Sequence, residues 1–188
     1  MKKAEFLNRF HHARQVDSER DFPLRKPGRP AAVLMPIIER DELTLLFTRR
    51  AGHLKHHAGQ VSFPGGRQEP EDADLLDTAL RETREEIGIN TDNIEIVGQL
   101  QRYRTVSGYE VTPYIGILPP PRKLIPDHNE VASVFEVPLS YLMNKHNHMV
   151  HLAERQGLTH PIYFIHWQQQ HIWGATAAFV RTLSNHLT

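Results

Sequence analysis

Residues 81 to 88 read RETREEIG, three glutamates and two arginines within six residues, closed by a glycine. Glu82 and Glu86 stand four apart. On a helix such like charges repel by a few tenths of a kcal/mol unless something compensates them. Carboxylate oxygens gathered beside a groove suit a hard divalent cation such as Mg²⁺ or Mn²⁺, above all when phosphate oxygens complete its shell. Acidic groups at a helix C-terminus, where the dipole disfavours them, point the same way. The competing reading is an ordinary solvated, charge-rich helix end.

Upstream, Pro64-Gly65-Gly66 offers a tight turn whose amides can approach an anion, although a double glycine is also a common turn. Arg49, Arg50, Lys55, His56 and His57 form a basic cluster before it that could meet substrate phosphates. A solvated basic loop explains any single member equally well.

These residues need elements to place them. No glycine or proline falls between about Asp72 and Ile87, and Leu76, Ala79, Leu80, Thr83 and Ile87 recur at three- and four-residue intervals, which predicts a helix ending at Gly88. At about 100° per residue from Leu76, this stripe faces the core, and Glu82, Glu86 and Glu85 fall at roughly 240°, 280° and 180°. That projection puts an acidic edge beside the apolar stripe and sends Arg81 and Arg84 to the opposite shoulder, with charges segregated by sign.

Around the helix, AAVLMPII (31–38), LTLLFTRR (43–50), IEIVGQLQRY, YEVTPYIGILP and EVASVFEVPL read as strands, PLSYLM as the start of a short helix, and IYFIHW with IWG as a hairpin. Residues 2 to 14 predict an N-terminal helix, joined to the core by the polar connector DFPLRKPGRP, and ATAAFVRTLSNHL predicts an amphipathic C-terminal one. Strands around one central helix and closed by another make an α+β, mixed-sheet sandwich.

Composition narrows the classes. A chain of 188 residues fits one domain, with residues 1 to about 30 as an N-terminal helix and linker. Lys plus Arg equals Asp plus Glu at 22 each, so no global field draws the chain to nucleic acid or an anionic membrane, and phosphate recognition must be local. With no cysteine there is no disulfide, thiolate zinc site or cysteine nucleophile. The N-terminus lacks the apolar run of a signal peptide and no segment has the roughly 18 apolar residues of a membrane span, so a cytoplasmic protein is expected.

Gly66, Arg81-Glu82 and Glu85-Glu86-Ile87-Gly88-Ile89 together resemble the Nudix box. The second half of that pattern is complete. The first half departs from it, with Asp72 in place of a glutamate five residues after Gly66 and one residue inserted before Arg81. LLFTRRAGHLKHHAGQVSFPGG (45–66) and the later GYEVTPYIGILPP and NEVASVFEVPLSYL resemble the coenzyme A pyrophosphatase branch of that superfamily, which tolerates this spacing.

The resemblance implies a mixed sheet sandwiched between helices and metal-dependent cleavage of a diphosphate, with coenzyme A giving 3′,5′-ADP and 4′-phosphopantetheine. It implies Glu82 and Glu86 as direct Mg²⁺ or Mn²⁺ ligands, Glu85 as a further one, and Arg81 as the residue orienting a carboxylate. Catalytic roles fall to Glu82, Glu85, Arg81 and, as candidate general base, Glu130, which also reads as a plain loop residue. Arg49, Arg50, Lys55, His57, Gly65 and Gly66 are the candidate substrate contacts. The partner is a small nucleotide rather than nucleic acid or a membrane, and a homodimer stays open. Another nucleoside diphosphate derivative, such as ADP-ribose or a dinucleotide, is the alternative substrate, and a non-catalytic nucleotide-binding module the alternative class.

Other constellations carry less. His146, His148 and His151 in HNHMVH are better read as a polar loop than as a zinc site. Ser62 lacks a nucleophile elbow, and Gly65-Gly66 is no P-loop. Trp167, Trp173 and Phe179 receive no role.

Overall fold

A computed structural model describes residues 1–22 and 27–188; part of the expected connector, 23–26, lies outside the described residues. The fold is built on β1 (Arg29–Ile38) and β2 (Thr44–Arg50). Their apolar runs are buried on both faces, as in a sheet covered on each side. Alternate residues serve two cores: Met35, Ile37, Leu45 and Phe47 face one, and Ala32, Leu34, Ile38 and Leu46 the other.

The sheet continues through β3 (Val61–Ser62), β4 (Gly65–Arg67), β5 (Glu95–Gln99), β6 (Tyr103–Arg104), β7 (Tyr109–Leu118) and β8 (Val131–Pro138). Its main path runs β3-β2-β1-β7-β5, with β4 beside β1, β6 beside β7 and β8 beside β2. β1 and β7 are parallel over their full length and the other pairs antiparallel, so the sheet is mixed.

One face is covered by α2 (Leu75–Ile87), through Ala79 and Ile87. The other is covered by α1 (Lys3–His12), α3 (Leu139–Met143), α4 (Gly174–His186) and a second sheet of β9 (His148–Arg155), β10 (Leu158–Trp167) and β11 (Gln170–Trp173). The α+β sandwich is therefore as expected. HNHMVH is not a loop, because it leads from a 3-10 turn into β9, which pairs with β10.

α2 differs from its expected form in two ways. It begins at Leu75, because Asp74 caps it by accepting from the Asp77 amide at 2.9 Å, leaving Asp72 in the loop before it. Its buried face is Thr78, Ala79, Thr83, Glu86 and Ile87, while Leu76 and Leu80 are only half-buried. The stripe is thus turned toward the glutamates.

Gly88 closes the helix in the left-handed region at φ 69°, its amide donating to the Arg84 carbonyl at 3.0 Å. A side-chain carbon there would stand 2.9 Å from Ile125 Cβ and 3.1 Å from the Ile125 carbonyl oxygen. Gly88→Ala is therefore expected to lower the unfolding free energy by about 1 to 2 kcal/mol, read from urea denaturation.

Candidate active site

The acidic edge is built where α2 crosses the glycine turn. Gly65 and Gly66 pair with Val33 and Ala32 of β1. A Cβ on Gly65 would sit 2.3 Å from the Ala32 carbonyl oxygen, and one on Gly66 2.3 Å from Glu82 Oε1. Gly66 is needed because the Glu82 carboxylate rests where its side chain would otherwise be, and Gly65 because the β1 backbone does.

Arg81 holds this carboxylate in place. Its Nη1 donates to Glu82 Oε1 at 3.0 Å and to Glu85 Oε2 at 3.1 Å, while Nε and Nη2 grip Asp72 at 2.8 and 3.0 Å. Arg81 therefore lies among the acids, and the expected segregation of charge by sign does not hold for it. The guanidinium fork is matched to a carboxylate's two oxygens. Asp72, with a side chain 2% exposed, also accepts from the Glu69 amide and the Thr78 hydroxyl. Arg81 above all holds Asp72 well below the usual carboxylate range, and Asp72 in turn raises the Arg81 guanidinium. The first half of the box departs in spelling, yet Asp72 is the residue that locks Arg81.

Glu86 is 3% exposed. Burial, followed by repulsion from Glu82 and Glu130, pushes its carboxyl up to about 8, with Arg50 and the Gly65 amide opposing only in part. Burial also raises Glu82, assisted by Glu85 and Glu130 and opposed by Arg81. Glu86 thus lacks the positive charge that Arg81 gives Glu82.

Glu130 is brought here by the chain before β8. The Ile125 and Asp127 amides donate to the Ile87 and Glu86 carbonyls at 3.0 and 2.9 Å, capping α2's open end, and the Ala51 amide donates to the Glu130 carbonyl at 2.7 Å. Glu130 itself is exposed.

Arg50 follows a bulge in the β2–β8 pairing and acts electrostatically on Glu86; its Nε is buried without a hydrogen-bond partner among the described residues. Arg50, His57, Gly65 and Gly66 line a cavity of about 550 Å³. The other expected contacts are elsewhere. Arg49 donates to the Gly59 carbonyl and the Gln170 side chain, and Lys55 is exposed and does not line the cavity. Glu85 is 59% exposed and turned toward Arg81. Trp173 and Phe179, given no role from sequence, line the cavity with Tyr163 and His160; only their three-dimensional placement reveals this.

Among the described residues no three Asp, Glu or His side chains are arranged to hold a metal ion. The donor chemistry nevertheless fits a hard cation: Glu82, half-buried, and Glu86, buried, are oxygen donors that repel each other and are only partly offset by positive charge.

The fold is shared with solved structures. A Nudix hydrolase of M. smegmatis, RenU, superposes with a TM-score of 0.52 at 18% identity over 65% of this chain and 79% of its own. The MutT protein from Methanosarcina mazei Go1 gives 0.50 at 23% identity over 64% and 84%. In sequence, the NUDIX domain family model matches residues 28–156. The relative described as uncharacterized Nudix hydrolase NudL of Yersinia pestis (strain Pestoides F) is 40% identical over 98% of this chain and 94% of its own. The chain belongs to the Nudix family and is a Nudix hydrolase, acting on a diphosphate linkage. No helix among the described residues is long and apolar enough to cross a membrane.

The raised Glu86 carboxyl fixes a pH dependence. Between its unfolded value of 4.5 and about 8 the folded chain keeps a proton that the unfolded chain has lost, so stability declines as pH rises through that window. With divalent ions chelated, the unfolding free energy is expected to fall by on the order of 4 kcal/mol from pH 4.5 to 8, and Glu86→Gln to remove most of that slope. Denaturant titrations at several pH values check both.

Proposed function

We propose that this Nudix hydrolase is a divalent-cation-dependent diphosphatase of coenzyme A and its derivatives, cleaving between the two phosphates to release 3′,5′-ADP and 4′-phosphopantetheine. The observation that carries the reading is the adjacency of two features: the buried Glu86 and half-buried Glu82 carboxylates, only partly offset by positive charge, and a mainly apolar and aromatic cavity that meets them at Arg50 and Gly65-Gly66. The charge deficit suits a cation with a diphosphate, and the cavity suits a long, weakly polar arm better than a sugar.

Glu82 and Glu86 would hold Mg²⁺ or Mn²⁺, with Glu85 and Glu130 as further oxygen donors on the same edge. Bound there, the ion would neutralise phosphate charge and acidify water. The chain's own residues do the rest. Arg81, locked by Asp72, keeps the Glu82 carboxylate on Gly66. Arg50, which lines the cavity and carries positive charge beside Glu86, would pair with a phosphate oxygen. Glu130, exposed and within electrostatic reach of Glu82 and Glu86, takes the proton from the attacking water at a carboxylate oxygen. One water is consumed, one phosphorus–oxygen bridge breaks, and each product keeps one phosphate from the bridge.

Wild-type enzyme assayed with Mg²⁺ or Mn²⁺ is expected to give its highest kcat/KM on coenzyme A or an acyl derivative, against ADP-ribose and NADH. Equal or better turnover of either of those would defeat the substrate assignment. Tight binding with no turnover of any of them would make the chain a binding module.

Glu130→Gln is expected to lower kcat by about 100-fold or more while Mn²⁺ affinity, read by calorimetry, shifts only a few-fold. Unchanged turnover would remove Glu130 from the chemistry.

A further inference from the structure

The second sheet has two unequal edges. β11 is four residues long, whereas β9 runs for eight and pairs only with β10 among the described residues. The β9–β10 ladder keeps one register from His148 to Arg155 without a bulge, so the far side of β9 presents a straight row of backbone N–H and C=O groups. Among the described residues, none of 149–155 makes a backbone–backbone hydrogen bond outside that ladder. Edge strands are normally blunted by charge, proline or a bulge. The stretch from Met149 to Ala153 has none of these, and Met149, Val150 and Leu152 are 47%, 48% and 66% exposed. A further strand would satisfy the free backbone groups and cover these side chains together.

The sequence of β9, HMVHLAER, is complementary to itself when laid antiparallel. With a twofold axis at His151, Glu154 faces His148, Leu152 faces Val150 and Ala153 faces Met149, so acid meets imidazole and apolar meets apolar. The other registers that overlap nearly the whole strand do worse. An axis between His151 and Leu152 sets Arg155 on His148 and Glu154 on Met149, and an axis at Leu152 sets Arg155 on Met149 and Glu154 on Val150. Val150 lies opposite Tyr163, and Leu152 opposite Pro161, on the side of the sheet that buries Tyr163 and Ile165. In the favoured register the Val150 and Leu152 pairs would therefore carry that apolar layer on into a second copy.

We propose that β9 is a dimer interface: two copies of the chain join by antiparallel pairing of β9 with β9, about a twofold axis at His151, into one continuous sheet. The contact uses the same patch on both copies, so it closes on itself and leaves no β9 edge open to a third chain. It is independent of which diphosphate the enzyme cleaves, because none of Met149 to Ala153 lines the cavity or belongs to the acidic edge.

Sedimentation velocity of the full chain, from low to high micromolar concentration, is expected to show a reversible shift to twice the chain mass. Leu152→Lys sets a lysine against Val150 of the second copy at two places, and is expected to leave only monomer with the far-ultraviolet circular dichroism unchanged. The chain has no cysteine, so single cysteines read the register. His151→Cys faces itself across the axis and is expected to form a disulfide-linked dimer on mild oxidation, whereas Leu152→Cys, opposite Val150, is not. The cysteine variants decide the matter should Leu152→Lys fail to fold. A wild-type chain that stays monomeric throughout, a folded Leu152→Lys that still dimerises, or cross-linking of Leu152→Cys in preference to His151→Cys would overturn the proposal.

Discussion

The close packing of α2 on the Gly65-Gly66 peptide is the contact on which the rest of the site depends. It puts Glu82 on a peptide where any larger residue would collide with it, and it turns Glu86 into a nearly dry space. Burying two like charges is unfavourable, and the surroundings limit that cost in graded fashion. Glu82 has Arg81 at hydrogen-bond distance, whereas Glu86 has only the incomplete help of Arg50 and an amide. The helix is anchored against the resulting strain at both ends, by the Asp74 cap and Asp72 clamp at its start and by the 125–127 amides on its last carbonyls. The same amides that finish the helix deliver Glu130 to the edge, so one structural device serves both stability and placement.

Much of this was legible in the sequence because it obeys simple periods. The apolar runs of β1 and β2, the glycine-free stretch of α2 and the stop at Gly88 all left strong local signals. The rotation of the helix face did not. Thr83 lies buried as expected. Hydropathy favours Leu76 and Leu80 over Thr78, yet Thr78 is fully buried, its Oγ1 donating to Asp72 at 2.8 Å and to the Asp74 carbonyl at 3.2 Å. A hydroxyl satisfied by its own helix is cheap to bury. Asp72 was obscured for a related reason: the expected pattern asks for a longer acid at a different spacing, while the physical requirement is only that a carboxylate meet the Arg81 fork.

Long-range contacts were the least readable. Arg49 adjoins Arg50 and shares its charge, but a bulge separates their registers and Gln170, far along the chain, accepts from Arg49. Nothing local distinguishes the two. β9 was missed because its residues Met149 to Leu152 are all exposed, so no period-two alternation marks it. It is a strand through its ladder to β10 rather than through a buried face.

If the proposed diphosphatase reading holds, the placement of Arg50 would let the acidic edge and the cavity wall serve one substrate. Arg50 lines the cavity, and its charge acts on Glu86. On that reading, an anion that drew this guanidinium away would leave Glu86 with less positive charge and favour a cation there, and a cation bound there would relieve Glu86 and release Arg50 for the anion. Phosphate and metal would therefore reinforce each other's binding, while the aromatic wall contributes independently of either. Such coupling would follow from leaving Glu86 only partly compensated, and a second arginine beside it would abolish it.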